Sequence, residues 1–210
     1  MEHEVVSSKE PIRLFKSDFL EFFTHVHPAV IVIIWLPVMV FFLVRAIRAV
    51  EPGSSWAHIP LGMFIGLFLW TLAEYMLHRF VFHFRPRNAW QERASFLFHG
   101  VHHAQPMSKT RLVMPPVVSI PLALLFYGLF WLVVGRLLGA VQWVAPLFSG
   151  FILGYLWYDL THYALHHFPA QRGYYKMIRL HHMRHHGKNP HLRYGVSSPL
   201  WDYVFHTLSE

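Results

Sequence analysis

Four long stretches of the chain carry almost only apolar residues, with polar stretches between them. They run approximately over 28–47 (PAVIVIIWLPVMVFFLVRAI), 59–82 (beginning IPLGMFIGLFLW), 116–135 (PVVSIPLALLFYGLFWLVVG) and 141–162 (VQWVAPLFSGFILGYLWYDLTH). Each approaches or exceeds the roughly 20 residues that an α-helix needs to cross a bilayer. The pattern predicts an all-α membrane protein with four transmembrane helices. The first run starts at residue 28, behind a tail of mixed charge, and is full length. It therefore reads as a retained helix rather than a cleavable signal. The expected organisation is an N-terminal segment, 1–27, followed by one integral-membrane domain, 28–210.

Composition agrees with that pattern. Of the 210 residues, 54% are apolar and 14% charged, whereas about a quarter of a soluble domain is charged. The chain has no cysteine, which excludes disulfides, thiolate nucleophiles and cysteine-ligated iron–sulfur or zinc sites. Lys and Arg fall mostly in three segments. These are the N-terminal tail (Lys9, Arg13, Lys16), residues 79–115 (Arg79, Arg85, Arg87, Arg93, Lys109, Arg111) and residues 163–210. With four spans all three lie on one side, and the excess of positive charge makes that side cytoplasmic. Both termini are then cytoplasmic, and 83–115 with 163–210 form a cytosolic cap. The net charge of +7 faces anionic headgroups in this arrangement, which excludes a nucleic-acid binder.

The histidines change the picture most. HHMRHHGKNPH, residues 181–191, holds five of the chain's 18. Four clusters stand out: His78 and His83 in EYMLHRFVFH; His99, His102 and His103 in FHGVHH; His162 and His166 in YDLTHYALH; and His182, His185 and His186 in HHMRHH. In HxxHH the residues i, i+3 and i+4 share one helical face, so three imidazoles can converge on one metal or on two neighbours. His162 and His166 are one turn apart. His78 and His83, five apart, sit about 140° apart on an ideal helix, so they bracket a helix end or serve different metals. Two helical hairpins would bring all four clusters to the cytoplasmic end of the bundle.

Ten imidazoles are too many for one ion, since structural zinc takes four ligands and catalytic zinc commonly three plus water. They suit two metals of four to six ligands each. Imidazole binds Fe, Zn, Cu and Ni, so ligand type leaves the metal open. Ionisable groups beside hydrocarbon are costly, which argues against decoration. Metal-bound imidazoles donate their other N–H to a carboxylate or carbonyl, so Glu74, one turn before His78, and Asp159, three before His162, are candidate orienters. Asp202, four before His206, belongs with them. His167, His181 and His206 are candidates for positions behind the ligands. His3, His25, His27, His58 and His191 are expected at surfaces or interfaces, and Trp70, Tyr155, Trp157, Tyr158 and Trp201 in an interfacial aromatic belt.

Read in order, EYMLHRFVFH, FHGVHH, RLVMPP, YDLTHYALHH, HHMRHH and GVSSPLWDYVFHTL resemble the membrane-bound fatty acid 2-hydroxylases of the sterol desaturase/fatty acid hydroxylase superfamily. The resemblance covers about residues 70–208. The histidine boxes specify the superfamily, and RLVMPP with LWDYVFHTL favours the 2-hydroxylase branch. It implies four transmembrane helices under a cytosolic helical cap that carries a histidine-rich dimetal site. That site is di-iron when active and held by the ten histidines His78, His83, His99, His102, His103, His162, His166, His182, His185 and His186. It also implies O2-dependent hydroxylation of a long acyl chain at the carbon next to the carbonyl. Zinc competes for such ligands and can occupy the site in purified protein.

Many members of the resembled family carry an N-terminal cytochrome b5-type haem domain. Here 27 residues precede the first predicted span, and His27-Pro28 lacks the glycines of a haem loop. A separate cytochrome, ferredoxin or reductase is therefore expected to dock on the basic cap, and a bacterial inner membrane is favoured over endoplasmic reticulum. The nearest alternative keeps the centre and changes the substrate, giving a carotenoid or sterol hydroxylase or a lipid desaturase. A zinc-dependent membrane hydrolase or isomerase stands further off. A metal carrier would need polar residues along the spans, whose centres hold almost none.

Overall fold

The computed structural model describes residues 11–209, so His3 lies outside the described residues. The helices are α1 (Asp18–Phe22), α2 (Pro28–Arg48), α3 (His58–Met76), α4 (Ala89–Ser95), α5 (Val101–Ala104), α6 (Pro116–Phe130), α7 (Val144–His167), α8 (Gly173–Gly187) and α9 (Leu200–Val204). There is no β-strand among the described residues. Three helices run on in π-helical form: α3 through Leu77–Phe82, α4 through Phe96–Gly100 into α5, and α6 through Trp131–Leu137.

Three runs are long and apolar enough to cross a membrane: Pro28–Arg48, His58–Phe82 and Pro116–Leu137. The fourth expected span falls on α7, which is long but not among them. Its sequence ends in Tyr158, Asp159, Thr161, His162, His166 and His167, and these polar groups dilute its apolar half. That half is covered by protein, with Leu147, Phe148, Phe151 and Ile152 all buried.

The chain divides into two compact units. One consists of Ala29–Thr71 and Met114–Trp157. Within it, α3 and α7 meet through glycines that the sequence spaces four apart, Gly62 and Gly66 on one helix and Gly150 and Gly154 on the other. A Cβ at Gly66 would lie 1.9 Å from the Leu147 carbonyl oxygen, and one at Gly150 would lie 2.0 Å from that of Met63. A Cβ at Gly154 would meet the Trp70 side chain at 2.5 Å. Each glycine thus receives backbone or ring from the facing helix. This is the close approach that small-xxx-small spacing permits where lipid offers no hydrophobic drive to pack.

In the same unit α2 is held by Trp35 Nε1 donating to Ser119 Oγ at 3.2 Å and by Ser149 Oγ donating to the Met39 carbonyl at 2.9 Å. Phe42 packs edge-on to Phe148, ring centroids 4.8 Å apart. Trp70 and Tyr155, expected at an interfacial belt, are instead buried and stack edge-on at 5.3 Å. Their large ring area is spent on the helix interior, where with Trp35, Phe126, Phe151 and Ile152 they line an apolar cavity. Of the other belt candidates Trp157 is exposed and Tyr158 is buried.

The second unit consists of the described parts of Met1–Pro28, Leu72–Val113 and Tyr158–Glu210. Its N-terminal segment is fastened to the RLVMPP stretch. Buried Arg111 donates to the Ile12 carbonyl and to Glu21 Oε1, while Glu21 Oε2 accepts from Leu14 N at 2.9 Å and Phe15 N at 2.8 Å. His25, expected at a surface, pairs with Thr110 Oγ1 at 2.8 Å and stands 2.9 Å from Arg111 Nη2. It is a working member of this clamp because Val26 N also bonds the Thr110 carbonyl, at 2.7 Å, and so holds the ring there.

Candidate metal centre

The ten candidate histidines all gather in the second unit, and they do so as two groups of five. His78, His83, His99, His103 and His185 form one; His102, His162, His166, His182 and His186 form the other. In each group one ring nitrogen per residue lies within 4.8 Å of the other four. Ring nitrogens on opposite sides of one ion, about 2.1 Å from it, would be about 4.2 Å apart, so each group has the scale of a single metal site. The groups adjoin, since the rings of His103 and His186 stack at 4.1 Å.

Helical geometry explains the partition. Pairs spaced i, i+4 stay together: His99 with His103, His162 with His166, and His182 with His186. The third member of each HxxHH turns to the other group, His102 to one and His185 to the other. Each triplet therefore belongs to both sites. His78 and His83 share a group despite the 140° expected on an α-helix. The π-helical turn between them closes with His83 N bonded to the His78 carbonyl at 3.1 Å, and an i→i+5 turn returns the fifth residue to the same face.

The donor chemistry fits metal. His78 Nδ1 donates to the Tyr194 carbonyl at 2.5 Å and His185 Nδ1 to the Leu192 carbonyl at 2.7 Å. A carbonyl only accepts, so these bonds leave each Nε2 as a lone pair facing inward. Nε2 of His78 faces that of His99 at 3.1 Å, and that of His185 faces His83's at 3.0 Å. In the second group, Nε2 of His102 faces both His162 and His186 at 3.0 Å, and His166 faces His182 at 2.8 Å. One ring nitrogen has one in-plane site and cannot satisfy two partners by proton sharing, whereas a cation shared at the centre satisfies all. Burial, aided by neighbouring histidines, holds His99, His102, His182, His185 and His186 well below the ordinary imidazole pKa. They are therefore neutral, the form that ligates.

Glu74 and Asp202 make their bonds to the backbone strap rather than to one of the ten histidines. Glu74 does not reach a histidine. Its Oε1 accepts from Val196 N and Ser197 N, both at 2.7 Å, and its Oε2 from Ser197 Oγ. Asp159 is buried one turn before His162. His181 bonds Asp202 Oδ2 at 3.0 Å and belongs to neither group. His167 lies against Tyr163 with tilted rings 4.4 Å apart, while His191 and His206 are exposed and outside both groups. The strap of backbone from Leu192 to Ser197 was not foreseen; the GVSSPLWD run and the left-handed Arg193 (φ 62°) mark it.

Residues 63–207 match the family model described as fatty acid hydroxylase. The chain belongs to that family. It is 38% identical over 206 residues to a dihydroceramide fatty acyl 2-hydroxylase of Arabidopsis thaliana, covering 98% of this chain and 84% of the plant protein. It is 35% identical to the fatty acid 2-hydroxylase of Homo sapiens, covering 95% of this chain and 57% of the human protein. A solved structure described as full-length scs7p, with only the hydroxylase domain visible, superposes with a TM-score of 0.79 at 36% identity. It covers 92% of this chain and 70% of that one. These relatives are plant, mammalian and fungal, so they give no support to the expected bacterial membrane. That expectation rested on a haem domain not found before the first span, which says nothing of source.

Proposed function

We propose that this protein hydroxylates a long acyl chain at C2, with its ten histidines holding two iron ions. O2 supplies the inserted oxygen; two electrons and two protons carry the second oxygen atom to water. The observation that supports this best is the pair of adjoining five-histidine groups, most of their rings buried, with one ring nitrogen of each residue gathered on a common centre. The names of the relatives, which are acyl and ceramide hydroxylases, point the reaction to C2. Bound there, the iron pair would supply the activation of O2 that an unactivated C–H bond requires.

The chain's own residues carry the other tasks. Burial of His78, His99, His102, His182 and His185 keeps water from the donor atoms. The helix α7 serves as the fourth span, shielded by its protein neighbours, in a single integral-membrane domain over 28–210. The termini and the cap segments 83–115 and 163–210 are cytoplasmic. Exposed Arg85, Arg87, Arg93, Arg184 and Lys188 give the cap the positive charge that speeds encounter with an acidic electron-carrying partner.

Lipid mass spectrometry under ¹⁸O2 tests the proposal. Cells expressing the protein with a working electron donor should accumulate 2-hydroxy acyl species bearing the label. No new 2-hydroxy species, or oxygen drawn from water, would refute it; altered carotenoids or new double bonds would favour another substrate for the same centre.

A further inference from the structure

Four consecutive backbone N–H groups, Tyr194 to Ser197, are all taken by two buried carboxylates. Asp202 accepts from Tyr194 N and Gly195 N, each at 2.8 Å, as Glu74 does from Val196 N and Ser197 N. Asp202 and Glu74 are 0% and 3% exposed, and a buried carboxylate is costly unless its oxygens are filled. Theirs are filled, with Thr207 Oγ1 at 2.7 Å and His181 on Asp202 and Ser197 Oγ on Glu74. Gly195 leaves no space for drift: a Cβ there would lie 2.1 Å from the Ser198 carbonyl oxygen. The N–H groups of this strap face the carboxylates, and its Leu192 and Tyr194 carbonyls face histidines.

Both carbonyls go to one five-histidine group, Tyr194 to His78 and Leu192 to His185. We propose that Asp202 and Glu74 are positioning residues for that metal position alone, acting through the strap that fixes the tautomers of His78 and His185. The inference rests on reading the two groups as metal sites. It makes the two sites inequivalent: strap integrity sets the affinity of one and leaves the other unchanged. Removing such outer support costs about 10–100-fold in metal affinity.

The two carboxylates differ in what an amide can replace. Glu74→Gln keeps an oxygen toward Val196 and Ser197 N, and its NH2 meets the Ser197 hydroxyl, which can turn and accept. Asp202→Asn has no such choice, because one oxygen faces Tyr194 N–H and the other Gly195 N–H. Either orientation sets donor against donor.

The test is metal content and release. The full chain in detergent is loaded with ferrous iron or zinc, and metal per chain is followed under a chelator by mass spectrometry. Cobalt titrations of the same proteins, followed by their visible spectra, count how many sites weaken. Wild type should hold two ions. Asp202→Asn and Glu74→Ala should lose one at about 10–100-fold weaker affinity and keep the other as wild type does, while Glu74→Gln should restore both. If Asp202→Asn fails to fold, Thr207→Val, which removes one of its four bonds, should show the same selectivity at smaller amplitude. Equal weakening of both ions overturns the inference, including a route through His181 to its neighbour His182. So does wild-type retention of both. A wild-type protein that binds no metal overturns the metal reading instead.

Discussion

Replacing Gly66 by alanine is the sharpest probe of the α3–α7 contact. The new methyl would stand 1.9 Å from the Leu147 carbonyl oxygen and 2.8 Å from Phe151 N. Close carbon–oxygen contacts run to about 3.3 Å, so the facing helices must separate by roughly 1.4 Å. The obstacle is backbone, so no side chain can rotate away. Overpacking costs about 1–3 kcal/mol, and a rigid obstacle places this case at the upper end. Alanine regains about 1 kcal/mol in helix propensity, leaving a net loss of about 2 kcal/mol. At roughly 2–4 °C per kcal/mol for a chain of this size, the melting temperature falls by about 4–8 °C. Gly128 on α6 is the control, for a Cβ there meets nothing within 4 Å. Gly128→Ala gains the propensity alone, raising Tm by about 2–4 °C. Helical circular dichroism during heating in one detergent, both variants beside wild type, measures the contrast. Equal melting of the two variants would refute the interlocked contact.

Other substitutions test other parts. His185→Ala should lower bound metal and abolish hydroxylation, while His191→Ala, exposed and outside both groups, should leave both unchanged; metal analysis and lipid assay together check this. Gly195→Ala should melt lower by about 1–3 kcal/mol equivalent, since its Cβ meets the Ser198 carbonyl at 2.1 Å; calorimetry of the metal-loaded protein checks it. Glu21→Gln tests the clamp through pH. Burial alone would raise the Glu21 carboxyl, but bonds from Phe15 N and Leu14 N, with the Arg111 charge, outweigh it and lower the pKa. A lowered folded pKa stabilises above the unfolded value and loses that stability as pH falls through the folded one. The variant should therefore melt below wild type at neutral pH, and the gap should close below the ordinary carboxylate range near pH 4. A gap independent of pH would remove the charge from the account.

How far the sequence alone reaches depends on the range of the interaction. The i, i+4 pairing of His162 with His166 is local, so spacing revealed it and the structure keeps it. The grouping of His78 with His83 was hidden because the 140° offset assumes α geometry, and the π turn at Leu77–Phe82 removes the offset. The roles of Glu74 and Asp202 were hidden for a different reason. A carboxylate one turn from a histidine invites a local pairing, yet the partners of Glu74 lie more than a hundred residues away, at Val196 and Ser197. The glycines at 62, 66, 150 and 154 had a readable spacing, but only the facing helix shows what they admit.

In the proposed dimetal centre the shared HxxHH triplets tie the two groups to each other. His99 and His103 serve one group while His102, between them, serves the other; His182 and His186 are divided by His185 in the same way. A helix rotated to improve one site would withdraw a ligand from its neighbour. Both α5 and α8 are therefore held in register by two sites at once, and the distance between the sites is set by helical pitch rather than by loop flexibility. That coupling makes small helix movements costly in two places. The strap acts differently, through the tautomers of His78 and His185, while the remaining ligands are aligned by the helices that carry them.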